Sequence, residues 1–595
     1  MRTHNHQEYG HRQGHPVRED QSATLATAVA ICAVLLAIYL VNTRLMVRSL
    51  QLLEVGLYFG CAAAAAVAAL WYGRKRSVRR ERAWPQPPVF VPMLTDQRCL
   101  TQAWESRAVV AGYDVHARPW FFTDAARRMQ TILLGQSGSG KTTLLLNLAG
   151  QDSRRTVNGR HIPLIVFDGK GDQEFLAAFT SEVCRAGRID QLRVIDPFHP
   201  QISSRFNPFF TRGSSRHELV NAFFASFFLH QDFFRAHQAT YLSDVCRVLD
   251  HSGAVYAIPD VLVMARDELV MKEQIAKAQR ALGADPSVSA QQRQNFEMSA
   301  RNLLQSLSDR ERVPKIQGLL NELMTFTEEE LSVITNAYED LLTIDEVIEQ
   351  SLILFISLNA NKNSKAVTAL GRTLLESLRL AVGERYLRSA QAAESLPMVS
   401  IILDEFAAFS SPNFANLIQT ARGSNVSLLV SLQSIPQLRV VSRNFGDEVS
   451  SAPNTIMLLR TRDEETARFF LNASARVAGE RKTMTVEKKG IFEEQYREIG
   501  FGSITEIERT RAVDFQIKNL PAGQMQVLTT DNRSGTLHLH VHVRCPRHYR
   551  LAGFAPVLYP RLAPPKRGEG GANLRFRNPE LSRRMGRIFA RSGAL

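Results

Sequence analysis

The residues best suited to chemistry are grouped in Gly135-Gln136-Ser137-Gly138-Ser139-Gly140-Lys141-Thr142. Glycines at this spacing let the backbone wrap a polyphosphate. Its N–H groups, and the N-terminus of a following helix, then point at negative charge. Lys141 is placed to reach the β- and γ-phosphates, and the Thr142 hydroxyl to bind Mg2+. The whole run Gly135 to Thr143 is thus a candidate phosphate cradle, with ATP and Mg2+ as the expected cofactors. Its context agrees with this, because Thr131-Ile132-Leu133-Leu134 is a short apolar strand and Thr142 to Ala149 reads as a helix.

Hydrolysis needs a second element. Val399-Ser400-Ile401-Ile402-Leu403 is a buried-strand pattern that ends in Asp404-Glu405. Asp404 is suited to the Mg2+ shell, and Glu405 to polarising the attacking water. The next strand pattern, Ser427 to Leu432, ends at Gln433. That amide either senses the γ-phosphate or simply closes a strand. Arg422, 11 residues earlier, reads on the residues alone as a surface arginine.

These groups need a parallel sheet to position them. Pro163 to Phe167, Arg193 to Ile195 and Leu352 to Ser357 supply further apolar strand patterns. Between 213 and 347 glycine is sparse and apolar residues recur at helical spacing, which predicts an all-α insertion. Phe223, Phe224, Phe227 and Phe228 fall on one helical face, and core packing accounts for them better than partner binding. Residues 474–510 are polar and read as a solvated excursion. The Gly-, Pro- and Arg-rich end, 561–595, holds nine Lys or Arg against two Glu and is predicted to be mobile.

Upstream, Ala23 to Val41 is uncharged and almost wholly apolar, long enough for about 28 Å of helix. Val55 to Tyr72 is a second, alanine-rich segment, and Arg74 to Arg82 carries six basic residues in nine. The positive-inside rule then places both termini in the cytoplasm. The expected organisation is a disordered leader 1–22, two transmembrane helices with a basic flank 23–82, a linker 83–104, an α/β nucleotide-binding domain 105–212 and 348–560, the all-α domain 213–347 and the basic tail 561–595. The expected topology is multi-pass with the soluble domains cytoplasmic.

The 595 residues carry a net charge of +14. A polyanionic partner explains this, and so do basic membrane flanks and a basic tail. Cys32, Cys61, Cys99, Cys184, Cys246 and Cys545 are scattered. That excludes a disulfide framework or a zinc site of recognisable spacing.

Taken together, these residues resemble the type IV secretion coupling proteins, the TraG/TraD/TrwB group of conjugative ATPases. The resemblance rests on the phosphate loop, on Asp168-Gly169-Lys170-Gly171-Asp172, and on Asp196-Pro197-Phe198 with Ser204-Arg205-Phe206-Asn207-Pro208-Phe209. It also rests on Leu403-Asp404-Glu405-Phe406, the Arg422 to Gln433 spacing, and Leu520-Pro521-Ala522-Gly523-Gln524. Met129-Gln130-Thr131 departs from the histidine that many members carry before the first strand. The resemblance implies a RecA-like fold with an inserted all-α domain, and a homo-hexameric ring around DNA. It implies that the membrane is the bacterial inner membrane, and partners in a relaxase or relaxosome and in the secretion channel. It also implies that Arg422 reaches a neighbour's ATP as a finger, and that Gln433 relays the γ-phosphate state. Two alternatives stay open. One is an FtsK/HerA-like DNA translocase for chromosome or plasmid segregation, against which the short tail and the helical insertion speak. The other is a coupling ATPase serving protein effectors only.

Overall fold

The computed structural model describes residues 27–35, 63–68, 89–545 and 571–591, apart from short stretches at 213–214, 228–231, 328, 360–363, 390–395, 475, 489–495, 511–513 and 532–534. The chain divides into two units, Met1–Trp84 and Pro85–Leu595.

In the first unit, helix is described only at 27–35 and 63–68. The rest of the two expected membrane segments, the leader and the basic flank lie outside the described residues. The expectation of a multi-pass inner-membrane protein is therefore corrected. Among the described residues no helix is long and apolar enough to cross a membrane. A helical piece of nine residues rises about 14 Å, roughly half the hydrocarbon thickness.

The second unit is built on an eleven-stranded mixed sheet. In chain order its strands are β1 (Ala108–Tyr113), β2 (Pro119–Thr123), β3 (Thr131–Leu134), β6 (Leu164–Asp168), β7 (Leu192–Ile195), β8 (Ile353–Ser357), β9 (Val399–Asp404), β10 (Val426–Leu432), β11 (Thr455–Leu458), β14 (Gln524–Asp531) and β15 (Gly535–Val543). Two two-stranded hairpins lie apart from it, a short one of β4 (Thr156–Val157) with β5 (Arg160–His161), and a long one of β12 (Arg476–Lys488) with β13 (Tyr496–Thr510). The order across the large sheet is β2-β1-β15-β14-β11-β3-β10-β9-β6-β8-β7.

From β11 to β7 all neighbours are parallel, and from β14 to β2 they are antiparallel. The parallel strands are runs of Ile, Leu, Val and Phe buried on both faces, as a sheet covered by helices on each side requires. Helix Lys141–Asp152 follows β3, and helix Gln173–Arg185 follows β6, capped by the Asp172 carboxylate, which accepts from the N–H groups of Glu174 and Phe175. Between β7 and β8 the described chain is helical, from Arg216–Ala225 through Ile344–Glu349. Phe223 and Phe227 are buried there against Phe326, so these rings are core. Phe228 lies outside the described residues.

Three expectations differ from what is observed. The segment read as a linker, 83–104, contains most of a helix, Met93–Glu105, which buries Cys99, Leu100 and Ala103 with Ala108 and Val110 of β1. Its Asp96 accepts from the Tyr113 hydroxyl at 2.5 Å and pairs with Arg544 at 2.8 Å, tying the helix to β1 and to the residue after β15. The polar excursion at 474–510 is a long hairpin, with Arg476 opposite Thr510 and Lys488 opposite Tyr496. The basic tail, predicted to be mobile, is ordered over 571–591 and packs on the helical insertion. Ala572, Leu574 and Phe576 lie against the main core, and Met585 is buried within it.

Candidate active site

The site forms where the parallel strands end. β3 runs into the glycine loop, β9 into Asp404-Glu405, β10 into Gln433 and β6 into Asp168. They meet because β10 lies between β3 and β9, and β6 lies on the far side of β9. Together they enclose a pocket of about 310 Å3 lined by the phosphate loop, Asp168, Lys170, Asp172, Phe175, Asp404, Glu405 and Gln433.

The loop is held from behind. Gly135 N–H donates to Leu432 of β10 at 3.1 Å and Gln136 N–H to the Arg460 carbonyl at 3.0 Å. Gly523 N–H donates to the Ser139 carbonyl at 2.9 Å, so the loop before β14 braces the cradle from a third side. Gly140 shows why glycine is needed. Its φ of +108° is one that L side chains rarely adopt, and a Cβ there would lie 3.2 Å from the Gly523 nitrogen. Backbone strain of this kind costs about 1–3 kcal/mol. Gly140→Val is therefore expected to weaken nucleotide binding by roughly tenfold or more, read by titration with a fluorescent ATP analogue. An unchanged affinity would mean that this backbone conformation does not set binding.

Lys141 is buried, and its ammonium donates to the Gly135 carbonyl at 2.6 Å while lying 3.5 Å from Glu405 Oε1. Gln433 Nε2 donates to both Glu405 oxygens at 3.1 Å. Glu405 itself sits at φ +49°, a left-handed conformation uncommon for a non-glycine residue, which turns its side chain out of the strand line. The carboxylate is thus fixed by an amide on one side and an ammonium on the other.

Asp404 accepts from the Ser431 hydroxyl at 2.7 Å, and burial pushes its carboxyl above the usual range. Asp168 lies beside it in register across β6 and β9. Burial first, and then the Asp404 charge, push Asp168 up to about 7, although it accepts from the Lys170 and Asp172 N–H groups at 2.9 and 2.6 Å. Two crowded acids in a pocket that Thr142 also lines are a charge arrangement that a divalent cation relieves. Mg2+ asks for one or two protein oxygens and completes its shell with water and phosphate. The residues therefore fit Mg2+. The pocket has the parts of an ATPase.

Arg422 is not brought to this pocket. It caps the C-terminal end of helix Phe414–Ala421, four residues before β10 begins, and is exposed. It therefore sits towards the opposite edge of the sheet from Gln433. The acids and lysine of Asp168-Gly169-Lys170-Gly171-Asp172 line the pocket but carried no role in the sequence reading. The signal for them was the acid at the end of an apolar strand, the same pattern that marks Asp404.

Residues 398–503 match the family described as the TraM recognition site of TraD and TraG. Over these residues the chain is similar to TraD and TraG. The matched residues take in β9, Asp404, Glu405, Arg422, Gln433 and most of the β12–β13 hairpin. No curated protein sequence matches this chain. Among solved structures it is similar to the bacterial conjugative coupling protein TrwBΔN70 in an unbound form, at 14% identity and a TM-score of 0.46, over 79% of this chain and 94% of that one. The plasmid coupling protein TrwB in complex with ADP and Mg2+ gives 15%, 0.47, 75% and 92%. VirB4 of Thermoanaerobacter pseudethanolicus gives 14%, 0.42, 74% and 98%.

Proposed function

We propose that this chain is a coupling ATPase of the TraD/TraG type, which couples DNA–protein or protein substrates to a type IV secretion channel and works as a ring of identical subunits. The observation that carries this is the pocket at the strand ends. It holds a phosphate cradle opposite Glu405, which is fixed by Gln433 and Lys141, and both Glu405 and Gln433 belong to the segment similar to TraD and TraG.

In this reading the loop Gly135–Thr143 and Lys141 hold the phosphates, and Thr142 and Asp404 hold Mg2+, which neutralises the developing phosphate charge. When the phosphates draw Lys141 away from Glu405, the carboxylate is free to accept a proton from water. Gln433, bonded to that carboxylate, registers the change and passes it to the loop that follows β10. Arg422 serves the pocket of the neighbouring subunit. Its exposure, and its distance from its own pocket, support this assignment over one within the same subunit. The partners are a relaxase-bound DNA and the channel components. The +14 charge supports DNA contact through phosphates, independent of sequence and weakened by salt.

The test of coupling is a mating assay. Lys141→Ala is expected to abolish DNA transfer, and normal transfer would sink the conjugative reading. The test of the shared site is turnover. An arginine finger is worth about 10³-fold or more, so Arg422→Ala is expected to lose that much with nucleotide affinity unchanged. Mixing Arg422→Ala with Lys141→Ala chains should restore part of the activity, because some interfaces then pair an intact cradle with an intact arginine. No restoration would place Arg422 outside the neighbour's site.

A further inference from the structure

The last described segment of the chain lies on the helical insertion in a way that ordinary surface packing does not require. Residues 571–577 are neither helix nor strand beyond a single bridge, and Asn573 turns the chain with a φ of +43°. Gly571 bridges Val255 in parallel, and Ala572 N–H donates to the Val255 carbonyl at 2.8 Å. Side chains then alternate. Ala572, Leu574 and Phe576 turn towards the core, while Asn573, Arg575 and Arg577 are exposed. The backbone is read by two carboxylates almost wholly removed from water. Asp260 Oδ1 accepts from Leu574 N–H at 2.6 Å, and Asp267 Oδ2 accepts from Arg577 and Asn578 N–H at 2.7 and 2.8 Å.

The other oxygen of each acid is already engaged. Asp260 Oδ2 serves Ala257 N–H and the Tyr338 hydroxyl, and Asp267 Oδ1 serves the first turn of helix Glu268–Ala284. The oxygens facing the tail are therefore matched to its N–H groups. A Cβ on Gly571 would lie 2.5 Å from the Tyr338 ring, so the chain enters where only glycine passes. At the end of this segment Arg577 pairs with Glu273 at 3.5 Å, and Met585 of helix Pro579–Arg591 is buried beside Arg266.

Buried carboxylates that lose their donors are costly to leave empty. A groove built this way therefore favours exchange of one peptide for another over standing open. Its grip is on backbone N–H groups and alternate apolar side chains, the terms on which extended peptides are recognised elsewhere. We propose that the helical insertion contains a peptide-binding groove centred on Asp260 and Asp267, that residues 571–585 are its resident ligand, and that it takes in exchange a terminal peptide of the same chemistry. Such a peptide enters on glycine, sets apolar side chains at alternate positions, and continues into an arginine-bearing helix. The tail is then a built-in competitor. Its covalent link gives it an effective concentration of about millimolar, which a partner peptide must overcome.

The experiment uses the full chain and a fluorescein-labelled synthetic peptide of residues 571–591. A double variant, Leu574→Asp with Phe576→Asp, releases the resident segment. It is expected to bind the peptide at least tenfold more tightly than the wild type by fluorescence polarisation, and adding Asp267→Asn should remove most of that binding. Equal binding to wild type and double variant would overturn the proposal. So would no binding by a double variant whose thermal unfolding matches wild type. Hydrogen exchange on the wild type keeps the test decisive if the variant does not fold. The amides of Leu574, Arg577 and Asn578 should exchange slowly alone, and faster with excess unlabelled peptide. Fast exchange without peptide, or slow exchange unaffected by it, would also overturn the proposal.

Discussion

Glu405→Gln is expected to lower ATP turnover by about 10²–10⁴-fold while ATP affinity stays within a few-fold of wild type. The amide keeps the volume and still accepts from Gln433, whose Nε2 reaches both Glu405 oxygens at 3.1 Å. What is lost is the ability to take a proton from water. A loss of 10³ corresponds to about 4 kcal/mol in the barrier. Lys141 would lose an anionic neighbour at 3.5 Å but keep its bond to the Gly135 carbonyl, so the cradle should still bind phosphate. Steady-state turnover beside titration with a fluorescent nucleotide separates the two effects. If turnover persists, Glu405 is not the base, and Asp168, in register with Asp404 in the same pocket, becomes the acid to test.

The largest expected effect on stability lies behind the site, at the far end of the phosphate-loop helix. Asp152 is the last residue of that helix and is fully buried. It accepts from Arg127 at 2.8 and 2.5 Å and from Arg155 at 3.0 Å, while Arg155 also reaches Asp124 at 2.6 Å and Arg127 reaches Ser400 of β9 at 3.1 Å. Burial works against the charge of each partner. The pairing wins, holding Asp152 below and Arg127 above their usual ranges. Asp152→Ala would leave two buried guanidiniums short of an acceptor. Breaking a buried pair from one side costs about 3–5 kcal/mol. Urea unfolding should show a loss of that size with an unchanged m-value. A loss below about 1 kcal/mol would mean that water or a rearranged Asp124 compensates. The network fastens the helix carrying Lys141 to the turn before β3 and to β9, so nucleotide affinity should fall along with stability.

How much could be read without coordinates varied with the range of the interaction. The glycine loop, its strand and its helix were legible as a local pattern, since the chemistry of phosphate binding needs those residues adjacent in the chain. Asp404-Glu405 was legible for the same reason, as acids at the end of an apolar run. The helical insertion showed in its period. The antiparallel half of the sheet was missed. In β14 and β15 Gln and His alternate with Val, Leu and Met, and pairing between distant segments decides them. The helix Met93–Glu105 was taken for a linker, since its partner residues, Tyr113 and Arg544, lie beyond it in sequence. The charged tail read as mobile. Two buried acids and the Val255 carbonyl, all more than three hundred residues earlier, give its N–H groups a place to bond.

By itself the sequence determined the strand, glycine loop and helix of the candidate phosphate cradle, because that information is carried by neighbours along the chain. Tertiary structure alone decided that Asp168 and Gln433 join Asp404 and Glu405 around one pocket. A parallel sheet carries all its strand ends to one edge, and the strand order chooses which of them meet there. Tertiary structure likewise set Arg422 apart from its own pocket, by leaving it before β10 on the opposite side of the sheet.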